Sequence, residues 1–488
     1  MAQLMAWGEW RPDVSSLEGS HSPTVINAIP RGDGYGPMQG YTALSAAHAS
    51  ACQGFFSAFG MDGSLSLFSS TARRLYKLNN ATFAWTDVSL GAPSDYAALA
   101  TGSHWQFAQW YNQVIAVNVN VVPQNYVLGS STQFANLGGS PPQAACITTV
   151  GAFVLLGGLN GDNWSVQWSS RNNPGEWTIG LNEGDKQTFR DGGIVRGIVG
   201  GEYGLVFQDR AIRRMTYSPG SATVMEFDVL SRELGLYAPY SLVRVRDMVF
   251  FLSDVGFHMW HPLAGFKAIG KERIDRTFFD DHDQTQKHMV IGAFDPQSSR
   301  IVWAYKSTTS GITDQFDRMI VYDWQLDRWA GWINMAGEWL GLSATPGQTL
   351  EGLNSLGSMD AQTVPFDSYP AQAANTLAMA NALHAIGLLN GANLEVILET
   401  AEIDIGTRSF INGQRPLTDC AQVLGSVAGK PIPETDLTYS TERGITRIGS
   451  IPCRVDNRIV RFKNRFPANS EWQYSIGTEP DIRPSGAQ

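Results

Sequence analysis

MVFFLSDVGFHMWHPLAGFKAIG, residues 248–270, is the stretch that decides the fold. Residues 248–253 form an apolar run of the length that suits a strand buried on both faces. Asp254-Val255-Gly256 carries the Asp and Gly of a hairpin turn, and GFHMWH (256–261) follows as a second apolar strand. A polar turn then leads to a short strand closing on Phe266. The same unit recurs six times between about Cys52 and Trp332. It closes on Trp85, Phe134, Trp177, Phe227, Phe266 and Trp329, at spacings of 49, 43, 50, 39 and 63 residues. Four-stranded propeller blades repeat every ~40–50 residues. A blade cannot bury both faces alone, so such units stack radially. The expectation is an all-β chain: a β-propeller over 46–356, six blades favoured and seven the alternative, with an additional β-rich platform domain.

Working outward, VIAVN (114–118), FVLLGG (153–158), GLVFQD (204–209) and RIVWAYK (300–306) repeat the first apolar run. ARRLYKL (72–78), SVQWSS (165–170), RAIRRMTY (210–217) and RMIVYDW (318–324) repeat the second. The long last spacing comes from a hairpin tip inserted at 307–314. Fifty glycines, 16% charged residues and 53 aromatics (15 Trp, 15 Tyr, 23 Phe) are the composition of a turn-rich β chain. A propeller takes ~250–300 residues, so 488 leave room for more. No apolar run approaches the ~20 residues of a membrane helix, and no basic-then-apolar leader opens the sequence. A soluble protein, not obviously secreted, is expected. Cys52, Cys146, Cys420 and Cys453 lie far apart without CxxC, which suggests buried free thiols and a reducing compartment.

Residues 1–45 read as an extended arm: too rich in Gly and Pro for a helix, too apolar at Trp7, Trp10 and Tyr35 for a free tail. Such an arm lies on its own domain or on a neighbouring subunit. WLGLS (339–343) through LEGL (350–353) reads as a seventh partial blade or a ring-closing strand. A linker is expected over 357–380, with VPFDSYP (364–370) and an Ala/Asn-rich segment able to form one short helix. The platform domain then occupies 381–488. In it NLEVILETAEI (393–403) alternates as a half-exposed strand does. RIVRFKNRF (458–466) puts Arg461, Lys463 and Arg465 opposite Val460, Phe462 and Phe466, and SEWQYSI (470–476) is expected to pair with it.

Residues able to do chemistry are few. Asp280, Asp281, His282, Asp283 and His288 could be drawn as a divalent-metal site, but no calcium loop or HExxH helix frames them, and a solvated loop is favoured. Asp185 and Asp191 could be the paired acids of a glycosidase, yet their flanking glycines favour loop acids. Arg210, Arg213 and Arg214, like Arg461, Lys463 and Arg465, could touch phosphates; inter-subunit salt bridges are favoured. No P-loop, GxGxxG or nucleophile elbow is present. The expectation is no enzyme, no catalytic residue, no metal and no cofactor. SRNNPGEW (170–177) resembles the sialidase Asp box, a structural turn of propeller blades, with Asn at the acidic position.

Six stretches carry a wider resemblance: WRPDVSSLEG (10–19), NAIPRGDGYGP (27–37), GGEYGLVFQDRAIRRMTY (200–217), VFFLSDVGF (249–257), IGKERIDRTFF (269–279) and VYDWQLDRW (321–329). Together they make the chain resemble the tail nozzle, or tail hub, of short-tailed (podovirus-type) bacteriophages, also called the packaged-DNA stabilisation protein. The resemblance implies a structural virion protein of the tail, made in the host bacterial cytoplasm. It implies a homohexameric ring below the portal and its adaptor, or head-to-tail connector, that extends the DNA channel and helps retain the genome. Its partners would be other copies of itself, the adaptor, a tail fibre or tailspike, a distal plug or needle, and genomic DNA sliding past without specific binding during ejection. Six copies of a chain of net charge −10 carry about −60, which repels phosphate. The alternative is a receptor- or glycan-binding propeller of a tail fibre, whose Trp and Tyr would stack on sugars.

Overall fold

A computed structural model describes residues 4–15, 20–93, 95–221, 223–344 and 375–485. Five separate four-stranded antiparallel sheets span 55–87, 106–136, 144–188, 195–231 and 243–268. These are blades 1 to 5. In blades 2 to 5 the second strand is the apolar run read from sequence, and in blade 1 it is Leu65–Ser70; Phe153–Leu159 and Gly204–Gln208 are buried along their whole length. Lying between two partners in its sheet and between two neighbouring sheets, that strand has no face left for water. Phe227 and Phe266 lie in fourth strands, whereas Trp177 sits in the turn before its fourth strand and buries its ring there.

Blade 6 consists of Ile291–Phe294, Arg300–Tyr305, Phe316–Asp323 and the first half of the long strand Arg328–Ala344. The second half of that strand opens a seventh sheet. It pairs with Asn375–Asn381, which pairs with Ala385–Leu388, which pairs with Thr42–Ala47 from the other end of the chain. The strand packs against the first strands of both blade 6 and blade 1. Across the seam, Ser57 Oγ donates to the Leu342 carbonyl at 3.3 Å, and the Cys52 amide donates to Glu338 at 2.7 Å. The propeller therefore has seven blades, and residues 339–343 are the inner strand of the seventh. Asn375–Asn381 is a strand where a helix within the linker was expected: pairing on both sides overrides the helix propensity of its alanines. LEGL and VPFDSYP lie outside the described residues.

The platform is built from both ends of the chain. Two 16-residue strands, Ile403–Thr418 and Ile451–Phe466, run antiparallel at its centre. Leu424–Lys430 and Val396–Glu399 flank the latter. Ser475–Pro484 pairs with Ile403–Thr418, not with 458–466, so the expected closing hairpin does not form; Ile403–Thr418 lies between them. Met5–Ala6 and Tyr35–Pro37 add at the far edge. Val25–Ile26 bridges the two bodies, antiparallel to Val396–Glu399 and parallel to the blade 6 strand at Trp332. Asn27, at φ 55, donates through its side chain to the Glu395 carbonyl at 2.8 Å and accepts the Asn334 amide at 2.8 Å. One hydrogen-bonded sheet thus runs from blade 6 into the platform. The joint is tight: a Cβ on Gly331 would lie 1.6 Å from the Val25 carbonyl oxygen.

The arm is consequently part of its own subunit's core. Trp7, Trp10, Val25 and Tyr35 are buried in one apolar cluster with Phe250, Trp303 and Trp329 of the propeller and Val396 and Phe462 of the platform. Asp13 accepts the Arg276 and Thr277 amides at 2.9 Å and so caps the helix Asp275–Asp281, whose own N-cap residue supplies no side-chain bond. All four cysteines are free and buried.

Candidate functional site

The carboxylates singled out from sequence each have separate partners. Asp185 accepts the Lys186 amide at 2.8 Å, while Asp191 binds Arg213 and Arg232, and the Arg213 bond holds its carboxyl below the usual range. An ionised, ion-paired Asp191 is not a general acid. The 280–283 run also diverges. Asp281 accepts from Tyr305 at 2.8 Å and pairs with Arg318 at 2.6 Å. Asp283 pairs with Lys306 at 2.8 Å, which pushes its carboxyl down to about 2. Buried His282 is pushed down to about 4 by desolvation, and His288 faces Asp314 at 3.0 Å. Among the described residues no three His, Cys, Asp or Glu side chains converge as metal ligands would.

Several members of the basic clusters have partners within the chain. Arg214 pairs with Asp228 at 2.7 Å. Arg461 reaches Glu399 at 3.8 Å and Glu402 at 3.1 Å; Arg465 reaches Glu442 at 2.8 Å and Glu395 at 3.0 Å. Of the acidic residues of 393–403, Glu399 and Glu402 are buried and are neutralised from the neighbouring strands, whereas Glu395 is half-buried. The 170–177 motif is a brace, with Trp177 Nε1 donating to the Pro174 carbonyl at 2.8 Å and the Gly175 amide donating to Asn173 at 3.0 Å.

Among the described residues, two concave places stand out. The first is the propeller axis, where the inner strands enclose a cavity of about 560 Å³ lined in part by Gln106, Thr148, Arg196, Tyr240, Arg244 and Trp339. Side chains from segments between blades and from the inner strand of blade 7 meet at it. The Tyr240 hydroxyl accepts the His104 amide at 2.9 Å, and the His104 ring lies 4.7 Å from Trp339 and 5.8 Å from His288. Burial pushes His104 down to about 3, so it sits there neutral. A cavity of this volume suits a small ligand. Sequence reasoning missed this cluster because His104, Tyr240 and His288 come from separate segments between blades and Trp339 from the inner strand of blade 7, none of them within a motif.

The second is the junction of arm, blade 6, blade 7 and platform. Arg328 stacks over Tyr35 at 4.6 Å and donates to the carbonyls of Trp7 and Arg31 at 3.0 Å each. Trp7 Nε1 donates to Ser475 Oγ at 2.8 Å. Around both bodies, large apolar side chains stand exposed at turn tips: Met61, Tyr111 and Leu263 on the propeller, Ile432 and Ile448 on the platform. Isolated exposed apolar residues are common, but tips on both bodies offer contacts to partners.

These features define a seven-bladed β-propeller fused through one continuous sheet to a platform made by both chain ends. No protein-family model matches the chain, and no curated protein matches it. Among solved structures it is similar to a chain described as "YCF48 bound to D1 peptide", at 10% identity over 61% of this chain and 86% of that one, with a TM-score of 0.36. That likeness is too distant to bear on function.

Proposed function

We propose that the chain is a non-enzymatic structural subunit of a short-tailed bacteriophage tail nozzle: a homohexameric ring that extends the portal–adaptor channel, helps retain packaged DNA and anchors fibres or spikes. The observation that supports this reading best is the sheet running from blade 6 through Val25–Ile26 into the platform. It makes propeller and platform one stiff body, as a wall segment under the pressure of packaged DNA requires. In this reading the DNA channel lies between copies and not along the propeller axis, and the acidic balance of the chain suits a lumen past which DNA slides.

Negative-stain imaging of the purified protein, alone and with a portal–adaptor complex, tests this. Sixfold rings docked end-on to the adaptor are expected. Persistent monomers that ignore the adaptor would remove the proposal.

A further inference from the structure

A cleft of about 410 Å³ lies where arm, blade 6, blade 7 and platform meet. Arg31 of the arm and Arg300 of blade 6 both line it, and so do Trp472 and Asn393 of the platform. Two carboxylates, Asp295 in the lining and Asp323 beside it, act on Arg300, whereas Arg31 forms no ion pair with any described residue. Arg300 Nε lies 4.0 Å from Asp323, at the limit of a salt bridge. The Ser299 hydroxyl at 2.7 Å and the Gln325 and Leu326 amides all donate to Asp323 Oδ1, and Oδ2 is the oxygen nearest Arg300. Asp295, also on the cleft, accepts from Ser298 at 2.7 Å and from the Gln297 amide. Burial, then the charge of Arg31, holds the Arg300 guanidinium below its ordinary value.

Two buried donors in the same lining lack any acceptor: Arg300 Nε and the indole N–H of Trp472, a residue 5% exposed. Buried donors left unpaired are costly, and native proteins leave few of them. Two guanidiniums with unpaired donors beside an open cleft form a cradle for an oxyanion, which Arg binds through its planar fork.

We propose that this cleft binds an oxyanion, either a free phosphate or a carboxylate presented by a polypeptide, between Arg31 and Arg300. An anion held there touches arm, propeller and platform at once and locks their junction. The inference is independent of ring formation.

Isothermal titration of the full chain with inorganic phosphate and with tri-glutamate tests it, at ionic strength matched with sodium chloride. One site per chain is expected. Arg31→Gln should lose about tenfold in affinity, the loss of one charge-assisted contact, Arg300→Gln at least as much, and Arg447→Gln, an exposed platform arginine, nothing. Should Arg300→Gln not fold, the exposed Arg31→Gln carries the comparison. Tighter phosphate binding identifies a free anion as the occupant, and tighter peptide binding a carboxylate of a partner chain. No heat with either probe, or undiminished binding by Arg31→Gln, overturns the proposal.

Discussion

Asp275 should make this protein less stable as pH rises, and Asp275→Asn should abolish that loss. The carboxylate is 9% exposed, wedged against Gly256 and Gly270, where added Cβ atoms would lie 2.1 and 1.9 Å from its oxygens. Gly256, at φ +128, is in a conformation only glycine adopts readily. The Phe257 amide donates to Asp275 Oδ1 at 3.1 Å, but burial, helped by the nearby Asp13 charge, pushes the acid up from 3.8 to about 7. The native state therefore holds this proton more tightly than the unfolded chain does. The resulting stability is fully present below pH ~4 and is lost as pH rises through 7. A shift of about three units at ~1.4 kcal/mol each makes the whole effect about 4 kcal/mol, of which about 3 falls between pH 5 and 8. Asparagine keeps an acceptor for the Phe257 amide and cannot ionise. Urea unfolding followed by tryptophan fluorescence at pH 5 and pH 8 gives the readout. The variant's stability relative to the unaltered chain should be about 3 kcal/mol more favourable at pH 8 than at pH 5. Any packing cost of the amide is common to both pH values and cancels. An identical difference at the two pH values would show that Asp275 does not ionise in this range, and the reasoning fails.

Removing residues 1–47 should leave blade 7 without its outer strand and the shared core without Trp7 and Trp10, so soluble yield and melting temperature should both fall; a stable, cooperatively melting product would mean the arm is dispensable to the fold. Gly331→Ala should clash with the Val25 carbonyl and loosen the propeller–platform joint, seen in limited proteolysis as separation of the two bodies with the ring of blades intact. Arg461→Ala should cost about 3–5 kcal/mol in chemical denaturation, because it removes a cation from buried Glu399 and Glu402; a loss below about 1 kcal/mol would mean that Lys430, 2.7 Å from Glu402, suffices.

The blades were legible in the sequence because each is local. The apolar strand, the Asp-Gly turn and the next apolar strand of 248–261 are neighbours in the chain, and the period of two and the turn chemistry act over a few residues. Trp177 shows the limit even there: its position marked the blade, but only packing places it in a turn and not a strand. The paired acids and the acid–histidine run could not be judged from spacing, since what decides Asp191 or Asp283 is the cation opposite, and Arg213 and Lys306 arrive from other strands.

By itself, the amino-acid order determined the class of fold, the repeat, the absence of familiar catalytic motifs and the burial of the four thiols. Only the tertiary structure decided the blade count, because the seventh sheet joins strands at 42–47, 337–344 and 375–388 that no local pattern links. It alone also showed that the arm lies in its own core, that His104, Tyr240 and Trp339 meet at the axis, and that Arg31 meets Arg300. The physical reason is the same in each case. Local propensity and periodicity are written along the chain, whereas ring closure, charge neutralisation and unpaired donors depend on which distant groups folding brings within a few ångströms.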